Sequence, residues 1–296
     1  MTFLENVDKT KLQKITLIVI SALVLTALAL LLVIILMSIT PKTPGLSDGI
    51  KNLKDYTVTD TDINTGSLIL ADDDHPYTPN VESLDLVGCI AYRDDQPDAT
   101  GVGSDDASTK NYIPWKEMKL PTITMQNLHK MLTAAKNEVG ENPVTIDAAY
   151  DMVQAGAEKK PEYKTGLLVL LSDYTSDYYE RVELSSAYRK WFDANAYKYG
   201  FIESFEDGYR YVGAPHAKLI NDNEDISTLA DYIAFLKENT NGTDKTVRVK
   251  IGTTEYAIYY VSCKAGDTIK APKDLSNTTI SGTNEGGVIV TVTLSN

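Results

Sequence analysis

The sequence predicts an α+β fold whose sheet is mainly antiparallel, and three observations predict it. Apolar residues recur at helical spacing over 125–139, 186–198 and 227–236. Strand-like runs at 144–146, 167–171 and 209–212 alternate with these helices, and three more, 246–251, 255–262 and 287–294, follow them between glycine-rich turns. The composition, 43% hydrophobic and 23% charged over 296 residues, suits one core domain of about 200 residues with smaller additions.

Taken in order, the chain first presents 15–39, a charge-free run of 25 residues. At about 1.5 Å per residue, such a helix crosses a hydrocarbon core of about 30 Å. The run is longer than the apolar region of a cleaved leader and continues into Thr40-Pro41-Lys42-Thr43-Pro44, so it reads as a transmembrane anchor. Lys9, Lys11 and Lys14 precede it, which places a tail of residues 1–14 in the cytoplasm; Lys42 is a weak signal the other way. The expected location is the cell membrane, crossed once, with the main domain extracytoplasmic. Residues 40–56 are rich in Pro, Gly, Ser and Lys and read as a stalk.

Beyond residue 40 lie 25 basic and 39 acidic residues, a net charge of −14. That balance argues against nucleic acid or anionic lipid as the partner. The acidic loops Asp72-Asp73-Asp74 and Asp94-Asp95 lack the spacing of an EF-hand calcium loop and read as solvated surface. Cys89 and Cys263 show no Cys-x-x-Cys spacing, so neither a thiol redox motif nor a zinc knuckle is supported; they either pair or lie buried singly.

Between these landmarks, Ser67-Leu68-Ile69-Leu70 reads as a strand and 94–111 as a polar surface loop. The helix at 125–139 aligns Leu128, Met131, Leu132, Ala135 and Val139 and closes at Gly140. His129 lies on it without a second ligand one turn away, and reads as structural. Ser227 is the expected N-cap of the helix that carries Leu229, Ile233 and Leu236.

The stretch most shaped like a site is 197–217. A helix bearing Trp191 and Phe192 ends at Gly200, and a turn at Asp207-Gly208 brings the chain back through Tyr209-Arg210-Tyr211-Val212. Tyr199-Gly200-Phe201-Ile202, Arg210-Tyr211-Val212-Gly213 and Pro215-His216-Ala217 resemble motifs of the VanY-type zinc D-alanyl-D-alanine carboxypeptidases, a group of LAS-type peptidases. The lead-in at 61–70 with Asp74-His75-Pro76-Tyr77, and the tail phrases at 256–261 and 280–284, resemble anchored members of the same family. The resemblance implies a LAS/VanY-like core over 57–240, with 241–296 as a small C-terminal β appendage packed on it. It also implies zinc as cofactor and peptidoglycan stem peptides as substrate.

The departures from the family pattern fall on its chemical positions. Where the family has Ser-Gly-Tyr-Arg, this chain reads Ala148-Ala149-Tyr150-Asp151, so an acid replaces the arginine implied to hold a substrate carboxylate. Where it has Ser-x-His-x-x-Gly-x-Ala-x-Asp, the chain runs from Pro161 to Leu170. Tyr163 thus replaces the implied zinc-binding histidine and Leu170 the aspartate. The Glu-Pro-Trp-His loop, implied to supply the base and a third ligand, is missing between Ile202 and Arg210. Glu203 and Glu206 are the remaining candidates for a base and His216 for a ligand, although the family's Pro-His-Ala histidine is not one of its metal ligands.

A catalytic zinc needs three ligands around an open position, and leucine offers no lone pair. The expectation is therefore no catalytic residue, no metal and no cofactor. The chain would be a membrane-anchored pseudoenzyme that binds peptidoglycan or a cell-wall protein as a binding or assembly module. The alternative is an active zinc carboxypeptidase with relocated ligands, and a third reading assigns the function to the β appendage.

Overall fold

The computed structural model describes residues 52–93, 113–140, 144–150, 159–173 and 182–294, with 19, 47–48, 50, 103–104 and 152–153. The expected tail at 1–14, the expected span at 15–39 apart from residue 19, Asp94, Asp95 and Asp151 lie outside the described residues. Among the described residues no helix is long and apolar enough to cross a membrane. Residues 46–296 form one compact unit.

The first elements are β1 (Ser47–Asp48), β2 (Leu53–Thr57), α1 (Asp60–Asn64), β3 (Leu86–Arg93), β4 (Gly103–Ser104), β5 (Ile113–Pro121) and α2 (Thr122–Val139). The middle of the chain gives β6 (Val144–Ala149), β7 (Met152–Val153), β8 (Leu168–Asp173), α3 (Ser186–Asn195), β9 (Phe201–Phe205) and β10 (Gly208–Tyr211). There follow α4 (Ala214–Asn221), α5 (Leu229–Asn239), β11 (Lys245–Ile251), β12 (Thr254–Ser262), β13 (Thr268–Pro272), β14 (Thr278–Gly282) and β15 (Gly287–Leu294). Single 3-10 turns stand at Val81–Leu84, Pro161–Thr165 and Ala196–Tyr199.

Two sheets dominate, a central one ordered β7-β6-β8-β10-β9 and a C-terminal one ordered β1-β11-β12-β15-β14. Smaller sheets join β13 to β2 and β4-β3-β5. Each pairing of these strands is antiparallel, so the observed fold is the mixed α+β arrangement with an antiparallel sheet.

Local rules account for the helices. Leu128, Met131, Leu132 and Ala135 stand at helical spacing on α2 and are buried against Val144, Ile146, Val169 and Tyr209 of the central sheet. The helix stops at Gly140, whose φ of 72° lets its N–H return to the Lys136 carbonyl. It starts three residues earlier than expected, directly from Pro121. The capping of α5 also differs from expectation. Thr228, not Ser227, is the N-cap and forms a capping box with Asp231, while the Ser227 hydroxyl donates to the Asp231 carboxylate.

Three further corrections concern the flanks. The expected strand at 67–70 is an irregular buried segment, because its backbone groups are served from outside any ladder. Leu68 N–H donates to the Ser281 hydroxyl, Leu70 N–H to the Thr283 carbonyl, and the Ile69 carbonyl accepts from Arg210. The expected stalk ends inside the fold, since Leu53–Thr57 pairs with Thr268–Pro272. The C-terminal strands are more than a small addition. Tyr232, Ile233 and Leu236 of α5 share a core with Val247, Ile258 and Ile289, on either side of the expected boundary at 240/241. Cys263 is a free, buried thiol, which leaves the buried-singly alternative for it.

Candidate functional site

The segment between Ile202 and Arg210 is a tight hairpin. Glu206 and Asp207 make the turn, with Asp207 in the left-handed region at φ 61°, a conformation that aspartate tolerates better than most residues. The Asp207 side chain is fully buried and receives Nε and Nη2 of Arg189 at 2.8 and 3.0 Å. Its Oδ2 also accepts the Leu184 N–H at 3.2 Å. Arg189 reaches Glu206 and Glu183 as well, at 2.8 and 3.1 Å. The Asp207 hydrogen bond, foremost, raises the guanidinium pKa further. One arginine of α3 thus fastens the turn that stands where the resemblance implies a longer loop.

A β-bulge aims the end of β9. Gly208 pairs with Phe205 but Tyr209 pairs with Glu203, so Ser204 is the extra residue. Glu203 and Phe205, two apart in sequence, consequently face opposite sides of the sheet. A second shift, between Ile146 and Ala148, does the same in β6. The outcome is one row across four strands, Ala148, Leu170, Gly208 and Phe205.

That row carries the positions at which the resemblance places a zinc ligand and its neighbours, and its character is apolar. Ala148, Leu168 and Leu170 are buried together with Tyr163 from the Pro161–Thr165 turn, and Phe205 packs against them. Gly208 makes room for the Phe205 ring, which lies 2.5 Å from where a Cβ at Gly208 would stand. Burying Tyr163 and Leu170 this way contributes on the order of 2 kcal/mol each.

The polar groups beside this cluster are engaged with one another. Arg210, fully buried, pairs with Glu162 at 2.7 Å and donates to the Ile69 carbonyl at 2.9 Å. Burial pulls the Arg210 pKa down, against the opposing pull of Glu162. The Ser204 hydroxyl donates to the other Glu162 oxygen at 2.8 Å, and the Lys160 ammonium lies 5.1 Å from the centre of the Phe205 ring. Tyr150 follows β6 in an isolated bridge to Lys119.

The three remnant candidates do not converge on this place. Glu203 pairs across the strands with Tyr209 and lies on the sheet's other face. Its pKa is raised, first by burial and then by Asp193 and Asp207 against the lowering of a backbone N–H. Glu206 is bound to Arg189. His216 is a core residue of α4: Nδ1 lies 2.7 Å from the Tyr232 hydroxyl and Nε2 3.0 Å from the Thr291 hydroxyl. Burial pulls its pKa down to about 3. His129 is exposed on α2. Among the described residues no three His, Cys, Asp or Glu side chains gather at metal-binding spacing. The donors at the matched positions, a buried tyrosine and a leucine, do not fit zinc. Sequence reasoning missed Phe205 as the filler and Arg189 as the clamp; the Phe205-x-x-Gly208 spacing is the signal that could have pointed to the first.

Comparison with known proteins agrees with this scaffold. The chain matches no model of a known protein family. It is 25% identical over 259 residues to a D-alanyl-D-alanine carboxypeptidase of Enterococcus faecium, covering 82% of this chain and 80% of that protein. Its fold is that of a crystallised vancomycin-resistance D,D-dipeptidase, VanXYg, in complex with a D-Ala-D-Ala phosphinate analogue. The TM-score is 0.58, at 20% identity over 82% of this chain and 99% of that one.

Proposed function

We propose that the chain is a degenerate member of the VanY-type carboxypeptidase family, anchored in the cell membrane by 15–39, that lacks peptidase activity. It acts outside the membrane as a binding or assembly module at the cell wall, on peptidoglycan or a wall protein. The observation that carries this reading is the row of Ala148, Leu170, Gly208 and Phe205 under Tyr163. At positions where the resemblance implies zinc ligands and an open coordination site, side chains without suitable lone pairs pack on one another. Among the described residues of this row none would lower the pKa of a water, and the neighbouring Glu162 carboxylate is held by Arg210 and Ser204.

The second reading is an active zinc D,D-carboxypeptidase, favoured by similarity to a protein bearing that name. It requires ligands from elsewhere, and of the described candidates Glu203 lies on the sheet's other face, Glu206 is bound to Arg189 and His216 is held between Tyr232 and Thr291. The test is release of D-alanine from a peptidoglycan pentapeptide by the full chain with added zinc. The proposal expects none above buffer, and expects none from the double variant Tyr163→His, Leu170→Asp, which restores two ligands but no base. Turnover by the unaltered chain would establish the second reading instead.

A further inference from the structure

The turn that joins α5 to β11, residues 240–244, is held on both sides by its backbone. The Thr240 N–H closes α5 on the Leu236 carbonyl at 3.0 Å, and the Thr240 hydroxyl accepts the Tyr260 N–H at 3.0 Å. Asn241 donates its N–H to the Lys245 carbonyl at 3.0 Å and accepts the Asp244 N–H at 3.1 Å. The Thr243 carbonyl accepts the Ile50 N–H at 3.0 Å, and Thr243 itself is buried. Between these anchors, neither the Asn241 carboxamide nor the Gly242 N–H joins a hydrogen bond among the described residues.

Those two free groups are the ones that can react with each other. A backbone nitrogen lies one ring closure from the side-chain amide carbon of the asparagine before it, and a side chain on the nitrogen's own residue shields it. Glycine removes that shield and lets the backbone swing into the closing conformation. Asn241 is the only asparagine of the chain that glycine follows. It is exposed to water, and Gly242, at φ 51°, has open space where a Cβ would stand. Asp207-Gly208 offers the same ring in sequence and denies it in structure. The Asp207 side chain is fully buried and takes N–H donors from Arg189 and Leu184, while the Phe205 ring closes over Gly208.

We propose that Asn241-Gly242 is a site of spontaneous covalent modification, where the chain converts its own asparagine to aspartate and isoaspartate. The Gly242 nitrogen passes its proton to solvent and attacks Asn241 Cγ. A new C–N bond forms, the Cγ–Nδ2 bond breaks, and ammonia leaves with a proton from solvent. Water then opens the cyclic imide at one of its two carbonyls. Opening at Cγ gives aspartate on the original main chain, and opening at the main-chain carbonyl gives isoaspartate. The net reaction consumes one water and releases one ammonia, with no oxidant, metal or second protein. The product adds a carboxylate near Asp244, and as isoaspartate it inserts one methylene between the anchored Thr240 and Thr243. The site is independent of the pseudoenzyme reading, since it shares no residue with the Tyr163 cluster.

The test incubates the full chain in detergent at mildly alkaline pH beside a synthetic peptide of residues 236–247, which sets the rate without the fold. Peptide mapping by mass spectrometry follows the change from amide to acid, and enzymatic methylation counts isoaspartate. Conversion at Asn241 in the folded chain is expected within about tenfold of the peptide's rate, because a surface turn opens locally at little cost. Asp207 should carry no isoaspartate over the same period. Asn241→Gln, whose melting temperature serves as the folding check, keeps an amide but must close a larger ring, and should leave position 241 unmodified. Conversion at Asn241 more than about tenfold slower than in the peptide would overturn the assignment. So would isoaspartate at residue 207 as abundant as at 241, or an undiminished change from amide to acid in the folded Asn241→Gln variant.

Discussion

The two faces of the central sheet are built from the same strands and differ in what covers them. On the helical face, Val169 and Tyr209 meet Tyr188 and Phe192 of α3 and the apolar side of α2, in a core with Phe192 and Tyr209 ring centres 5.0 Å apart. On the other face, among the described residues, Leu168 and Leu170 cluster with Ala148, with Tyr163 of a 3-10 turn and with Phe205 at the end of a hairpin. The first is ordinary core, shaped by helix packing. The second occupies the place where the resemblance puts chemistry, and the proposed loss of all its chemical residues together has a physical rationale. Removing one member of a buried polar set strands its partners, whereas replacing the whole set by apolar groups of matching shape is nearly neutral.

On this account the cluster face rejects any single step back. Leu170→Asp is expected to have the largest effect, destabilising the domain by about 4 kcal/mol, because it buries a carboxylate in the apolar cluster of Ala148, Tyr163 and Leu168. Urea denaturation measures this. A loss below about 1 kcal/mol, or recovery of stability on adding zinc, would mean that the site still accepts polar ligands.

Paired truncations sharpen the comparison. Phe192→Ala, at a residue 1% exposed, should cost about 3–4 kcal/mol, while Phe205→Ala, half-buried, should cost about 2 kcal/mol. Equal losses would show that Phe205 is as deeply engaged as the helical core.

Next in size is a pH effect away from both faces. Burial holds the folded His216 pKa at about 3, against 6.5 for the free side chain. Between these values the unfolded chain binds the extra proton, so stability is complete above about pH 6.5 and falls with acidification by at most about 1.4 kcal/mol per pH unit. Asp72, Asp231 and Asp274, with pKa values lowered by hydrogen bonds, add losses only as pH falls through values below 3.8. The measurement is the slope of unfolding free energy from pH 6.5 to 4.5, which His216→Gln should flatten; identical slopes would place the titration elsewhere. The smallest effect belongs to the Lys270–Asp55 pair, exposed on both sides, where Lys270→Ala should change stability by less than about 0.5 kcal/mol in the same assay.

Much of the framework was readable from the residues alone, and the reasons differ by region. Repeated apolar spacing located α2 and α3, and alternation with flanking glycines located β15 at its observed bounds. Alternation failed where backbone groups were satisfied by distant side chains. Leu68 to Leu70 look like a strand by composition and are held instead by Ser281, Thr283 and Arg210. The strands β3 and β5 and the helix α4 with Pro215 in its first turn escaped notice. At the site, the sequence could name Tyr163 and Leu170 but not what fills the space beside them. The two bulges, at Ser204 and between Ile146 and Ala148, reverse the face of every residue beyond them, so Phe205 could not be assigned by counting from Glu203.

The measurement that bears most directly on the pseudoenzyme proposal is the zinc content of the full chain, purified without chelator and dialysed against micromolar zinc. Tyr163, Leu170 and the Glu206-Asp207 turn supply no closed ligand set, so the account predicts less than about one tenth of an equivalent of zinc per chain, near the noise of adventitious loading. One equivalent, retained through dialysis, would contradict it.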